Sequence, residues 1–254
     1  MMVKIVIFDS GLGSLSVIRP IQKQLKCSII YFADTKNFPY GKKSIKEIRN
    51  ITLHTISALQ NLFKPDLIIV GSNTLSLTLD SYPKNIIPVL PPITKAKQIT
   101  KSKSIAILAT ESIVNSDLLD TYIKKFMTKN IKFIKINASI LVDLVEHGKF
   151  YSNTTLCKNV IKKTLSHKFM QNNIDTVTLS STHLPFLLNF FENIFPKITF
   201  LDPSESLAIN LKQKYSDDTK RNSLQIFTSG NVDSLQKKLI VLGIKNKIHK
   251  LTIK

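Results

Sequence analysis

The chain is short of cysteine, glycine, arginine and acidic residues: 2, 7, 3 and 17 in 254 positions. Cys27 and Cys157 lie 130 positions apart and outside any metal-ligand spacing, which excludes a disulfide framework and a cysteine-built zinc site. No apolar run approaches the roughly 20 residues that cross a bilayer, so no membrane partner is expected. The first apolar stretch, Ile5 to Phe8, is too short for a secretory signal and lacks a small-residue cleavage site, and the expected location is cytoplasmic. The shortage of acids leaves a formal net charge of +19. That excess invites a polyanion. Yet 33 of the 36 cations are lysines scattered along the chain. Base-edge and bidentate phosphate recognition favour arginine. Recognition helices, zinc fingers and aromatic ladders are missing too, so nucleic acid is not the expected partner.

What is present is a globular composition, 43% hydrophobic and 21% charged, at a length where one core usually splits into two. Short β-branched runs alternate with longer helical patterns. Val3 to Phe8 is followed by a helix from about Ser14 to Leu25, then by Ser28 to Phe32, a helix from Ser44 to Phe63, and Leu67 to Val70. Further strands are predicted at Ile105–Leu108, Ile131–Ile136, Thr176–Leu179, Ile198–Leu201, Leu224–Phe227 and Lys247–Leu251. This is βαβ order, and the near-continuous Ile/Val/Leu runs predict parallel sheets covered on both faces, with ligands at the strands' carboxyl ends.

The chain also resembles itself. Asp66-Leu-Ile-Ile-Val-Gly-Ser72-Asn-Thr74-Leu aligns with Asp175-Thr-Val-Thr-Leu-Ser-Ser181-Thr-His183-Leu at an offset of 109, and Ile5 to Ser10 echoes Ile105 to Thr110 at an offset of 100. Two related α/β halves follow from this, with Ser72 and Ser181 in equivalent strand-to-helix turns. Five of the seven glycines, Gly11, Gly13, Gly41, Gly71 and Gly148, fall at or beside candidate site loops. The first loop, Asp9 to Ser16, opens a helix whose N–H groups could hold a carboxylate or phosphate.

Two familiar chemistries fit poorly. A dinucleotide loop would use Asp34 as the ribose acid, but Ser16 replaces the third glycine and Asp9 would repel a pyrophosphate. A serine hydrolase would use Ser72 or Ser181 with His183, but neither serine lies in G-x-S-x-G, and Ser181 and His183 are two residues apart.

Several segments together are more specific. They are Phe8-Asp9-Ser10-Gly11 with Gly13 and Leu15-Ser16, Tyr31 to Thr35, Pro39-Tyr40-Gly41-Lys42-Lys43-Ser44, Asn73-Thr74 and Thr182-His183, with lesser ones at Leu108 to Thr110, Leu144 to Gly148 and Pro185. On these the chain resembles glutamate racemase, of the aspartate/glutamate racemase superfamily, along essentially its whole length. The resemblance implies two similar open α/β domains with mainly parallel sheets, related by a pseudo-twofold axis, with the site in the interdomain cleft. It divides the chain into residues 1–97 plus 208–254 and residues 98–207. It implies inversion at Cα of a free acidic amino acid without cofactor or metal, and it leaves room for a homodimer. The matching acid/base helpers are Asp9, Glu146 and His183. Ser10, Pro39, Tyr40, Gly41, Asn73, Thr74 and Thr182 match the substrate-binding loops.

The family places two cysteines on opposite faces of Cα as paired bases; this chain has Ser72 and Ser181 there. A thiol ionises near 8.5 and an aliphatic alcohol nearer 15.7. That gap of roughly 7 units costs on the order of 10 kcal/mol in forming the anionic base. Neighbouring differences, Ser14 for Gly, Gly71 and Leu75 for Ala, Ser180 for Gly and Leu184 for Tyr, read as drift around the site. Three functions stay open. One is a glutamate-racemase-like binder, a pseudoenzyme with very slow or absent racemisation. The second is a working isomerase on glutamate, aspartate or a related acid that uses Ser72 and Ser181 with Asp9, Glu146 and His183 as the real proton carriers. The third is a basic interaction protein with a vestigial cleft. Simpler roles also remain for Asp9 as a helix cap and Glu146 as a surface acid, while His54, His147, His167 and His249 read as surface or packing residues.

Overall fold

The computed structural model describes residues 2–40, 43–79, 81–215 and 221–253. The chain forms two compact units, Met1–Val89 with Ser204–Lys254, and Leu90–Pro203. Both are α/β.

The first unit opens with β1 (Lys4–Asp9), α1 (Leu15–Gln24), β2 (Ser28–Ala33), α2 (Ile45–Phe63), β3 (Leu67–Val70), α3 (Asn73–Ser76) and β4 (Ile86–Pro88). The second contains α4 (Ile93–Ile99), β5 (Ser104–Ala109), α5 (Glu111–Val114), α6 (Asp117–Lys124), β6 (Lys132–Asn137) and α7 (Ser139–Glu146), then α8 (Lys149–Ser152), α9 (Thr154–Gln171), β7 (Thr176–Leu179), α10 (Leu188–Ile194) and β8 (Thr199–Leu201). The chain returns to the first unit through α11 (Pro203–Lys214), β9 (Ser223–Thr228), α12 (Val232–Val241) and β10 (Ile248–Lys250).

Every pairing is parallel. The first sheet runs β10-β9-β2-β1-β3-β4 and the second β6-β5-β7-β8. Ile5, Val6, Ile7 and Phe8 of β1 and Ile105 to Leu108 of β5 are fully buried, as expected of strands with helices on both faces. Burying each Val, Leu, Ile or Phe among them contributes roughly 1.5–3 kcal/mol, so these central strands anchor their sheets. Around them, α2 starts at a capping box in which Ser44 and Glu47 satisfy each other's backbone N–H groups.

The repeat seen in the sequence is a repeat of register. Ile5 lies opposite Leu67 in the first sheet and Ile105 opposite Thr176 in the second, which are the same offsets of 100 and 109. The amide of Gly71 donates to the Phe8 carbonyl at 2.9 Å, and that of Ser180 to the Leu108 carbonyl at 2.8 Å. β4 has no counterpart in the sequence reading, because a three-residue edge strand ending in proline carries little pattern. The unit boundaries also differ from those drawn on sequence. Residues 90–97 belong with the second unit, where α4 packs on β7, and residues 204–207 go with the rest of α11 in the first.

Candidate active site

Both sheets present their candidate residues just past the carboxyl ends of neighbouring strands. In the first unit, Asp9 ends β1 and is followed by Ser10, while Ser72, Asn73 and Thr74 follow β3. All five are buried. The Asp9 carboxylate accepts the Ser10 amide at 2.7 Å, which turns the chain out of the strand toward α1. α1 itself begins at Leu15 with Ser14 in the capping position.

Ser72 has an extended backbone and starts the short helix α3, its carbonyl accepting the Ser76 amide at 2.9 Å. Asn73 donates its side-chain amide to the Val89 carbonyl at 2.9 Å, while its Oδ1 is buried with no hydrogen-bond partner. A buried acceptor left in that state costs free energy unless a ligand donates to it. Ser76, on the same turn, bridges β3 to the chain after β4. Its hydroxyl donates to the Val70 carbonyl at 3.1 Å and accepts the Val89 amide at 3.0 Å.

The chain after β2 is held by Asp34. Its carboxylate accepts from Tyr40 at 3.0 Å, Asn37 at 2.8 Å and Ser229 at 2.7 Å. Asp34 is therefore an organiser of the loop carrying Pro39 and Tyr40 rather than a ribose-binding acid. The Phe38–Pro39 peptide is cis. Burial, followed by the negative charges of Asp34 and Asp9, pushes the Tyr40 phenol well above its ordinary range, so it remains a neutral donor. Gly41 lies outside the described residues.

In the second unit Ser181, Thr182 and His183 follow β7 and are buried. His183 Nε2 lies 2.7 Å from Glu146 Oε1 at the end of α7. Glu146 is 3% exposed, which overturns its reading as a surface acid. A carboxylate at this distance fixes the ring's orientation and favours a proton on the facing nitrogen. Ser180 is tied to Thr178 by a 3.0 Å hydroxyl contact. Beyond α7 the chain reverses at Gly148, whose φ of +66° suits glycine. His147, by contrast, is exposed and bonds the Asp143 carbonyl.

Neither cysteine stands with these groups in its own unit. Cys27 is buried at the amino end of β2, and Cys157 is buried in α9, where burial raises its thiol pKa. Among the described residues, no group of three or more His, Cys, Asp and Glu side chains is placed to hold a metal ion, and no helix is long and apolar enough to cross a membrane.

The reading of Ser14 and Gly71 as separate drift needs correction. The two are in contact, the Ser14 hydroxyl bonding the Gly71 carbonyl next to Ser72. The signal was available in the sequence: one position gains a side chain where the other loses one. Asp34's partner Ser229 is 195 residues away and left no such signal.

No protein-family model matches the chain. Individual proteins do. It is 31% identical to a glutamate racemase of Buchnera aphidicola subsp. Schizaphis graminum over 86% of this chain and 88% of that one. It is 30% identical to one of Persephonella marina over 97% and 96%. Its fold is similar to that of a glutamate racemase isoform from Bacillus anthracis, with a TM-score of 0.86, 23% identity and coverage of 99% and 98%. It is also similar to the Francisella tularensis glutamate racemase in complex with D-glutamate, with a TM-score of 0.82, 22% identity and the same coverage.

Proposed function

The chain belongs to the glutamate racemase family, and from that premise we propose that it binds free glutamate or aspartate and interconverts the enantiomers very slowly or not at all. The observation that carries this reading is the matched pair of serines. Ser72 and Ser181 each stand two residues beyond a strand of the same register in its own sheet, at the positions where the resemblance calls for thiol bases. D-glutamate bound to the Francisella relative supports an acidic amino acid as the ligand.

The groups around each serine suit such a ligand. Asn73 Oδ1 would accept from the α-ammonium, and the hydroxyls of Ser10, Thr74 and Thr182 would donate to carboxylates, with Pro39 and Tyr40 shaping the neighbouring loop; Gly41 is a site residue by the resemblance alone. Asp9 in the first unit, and His183 backed by Glu146 in the second, would orient or protonate the base position of their own unit. Inversion requires a proton to leave Cα on one face and return on the other. A pair of hydroxyls is poorly suited to that, because the alkoxide each must form lies roughly 7 pKa units above a thiolate. Activity through His183 is the second reading, favoured by its buried bond to Glu146.

Incubation with L- or D-glutamate or aspartate in D₂O tests the chemistry. Deuterium at Cα should not exceed the blank for the unmodified chain and should rise in a Ser72→Cys, Ser181→Cys chain. Brisk exchange by the unmodified chain would favour the second reading. Millimolar glutamate or aspartate should raise Tm, and an unchanged Tm together with no rescue would overturn the amino-acid site.

A further inference from the structure

We propose that Ser229, which follows β9 in the returning part of the chain, is a positioning residue for the ligand-binding loop that carries Pro39 and Tyr40. It acts through Asp34. Ser229 is 195 residues from Asp34 in sequence and 2.7 Å from its carboxylate in the folded chain. The inference deepens the amino-acid reading and rests on it, because that reading makes the loop part of the site.

Each bond at this serine fixes the direction of the next. The Lys36 amide donates to the Ser229 hydroxyl oxygen at 3.0 Å, so the hydroxyl proton is directed to Asp34 Oδ1. Among the described residues, Ser229 is the one donor to that oxygen. Oδ2 of the same carboxylate accepts from the Tyr40 phenol at 3.0 Å and from the Asn37 side-chain amide at 2.8 Å. The terminal torsion of an aspartate is broad and nearly twofold, so a carboxylate held at one oxygen only can turn. Ser229 holds the second oxygen and thereby aims the first at Tyr40.

The serine is itself firmly anchored. Lys250 of β10 donates its ammonium to the Ser229 and Gly230 carbonyls at 2.6 and 2.5 Å, and a Cβ on Gly230 would lie 2.1 Å from the Thr35 hydroxyl oxygen. β9 does not need the Ser229 hydroxyl to stay on β2. The Ser229 amide donates to the Ala33 carbonyl at 3.1 Å, and the Thr228 hydroxyl bonds the same carbonyl at 3.0 Å and the Thr35 hydroxyl at 2.8 Å. Backbone and Thr228 thus secure the strand, and the Ser229 hydroxyl bears on the loop. Asp34 and Tyr40 are each 3% exposed, so water poorly replaces a donor lost there.

Calorimetric titration of the intact chain with glutamate, and nitration of its tyrosines by tetranitromethane mapped by peptide mass, test this role. Ser229→Ala should bind glutamate about tenfold more weakly than the parent, the equivalent of 1.4 kcal/mol. That is the loss expected if the loop keeps its binding arrangement about a tenth of the time. Ser229→Thr keeps the hydroxyl and should bind as the parent does. Ser223→Ala is the control: it removes a 3.0 Å hydroxyl bond between the same two strands, to Ser28 at their amino ends, and should leave glutamate affinity unchanged. Without any ligand, Tyr40 should nitrate faster in Ser229→Ala than in the parent or in Ser223→Ala, while the fully buried Tyr31 stays protected in all three. With a parent that binds glutamate, the proposal is overturned if alanine and threonine at 229 bind it alike or if Ser223→Ala weakens it as much. With or without glutamate binding, it is overturned if Tyr40 stays as protected in Ser229→Ala as in the parent. Failure of the parent to bind glutamate, with the contrast in Tyr40 nitration intact, would instead sink the amino-acid reading and support the hold of Ser229 on the loop.

Discussion

The Ser14 side chain occupies the space that a Cβ on residue 71 would need: its Oγ lies 1.9 Å from that position and 3.0 Å from the Gly71 carbonyl oxygen that it bonds. The two residues are 57 apart in sequence and act as one packing unit under the turn that bears Ser72.

Gly71→Ala should therefore destabilise the chain by about 1–3 kcal/mol, the usual cost of overpacking a filled core. Adding Ser14→Gly should recover part of that loss. Urea unfolding of the parent, both single variants and the double would give a coupling of about 0.5 kcal/mol or more. Strict additivity would show that the two side chains do not compete for the same space.

Asp175 predicts an acid-dependent loss of stability. Burial pushes its carboxyl up. The Ser102 amide, the Thr100 and Thr176 hydroxyls and the Lys101 amide outweigh that and hold it at about 2. Because the folded value is depressed, the stabilisation is present above the unfolded carboxyl's pKa of about 3.9 and is lost as pH falls toward 2. In Asp175→Asn the unfolding free energy should be lower at neutral pH and should decline less between about pH 4 and pH 2. Parallel pH profiles for parent and variant would contradict this.

The Glu146–His183 pair predicts a loss that cannot come from surface charge. Glu146→Ala should cost about 1–3 kcal/mol, because it leaves a buried imidazole without its acceptor at 2.7 Å. High salt should change this little, since both partners are buried. If the Cys-substituted chain exchanges deuterium, the same replacement should lower that exchange.

Gly148 should tolerate asparagine better than alanine. Its φ of +66° is left-handed, and a Cβ would lie 2.3 Å from the Tyr151 hydroxyl. Tyr151 is 45% exposed and its side chain can swing away, so the backbone term should dominate at about 1 kcal/mol for alanine. Thermal unfolding should rank glycine above asparagine and asparagine above alanine.

The parallel sheets were legible because their central strands are unbroken apolar runs. β1, β3 and β5 declare themselves through composition alone, β7 (Thr-Val-Thr-Leu) through its alignment with β3, and the two offsets between them reappear as hydrogen-bond register. β4 was silent because Pro88 ends a strand of three residues. The strand-end positions of the candidate residues were legible where motif and strand end coincide, as at Asp9, Ser72 and His183. Asp34 was visible as a residue but its organising role was not, since Ser229 and Tyr40 reach it only in the folded chain.

The return of β9 to β2 has a consequence for biosynthesis. Ser223 reaches Ser28 only after 195 further residues have been made, a delay of roughly 10–40 s at ordinary translation rates. By then the whole of residues 90–203 has emerged. The inserted unit can mature first, while the nascent first sheet waits with one flank unpaired and open to adhesion by other chains.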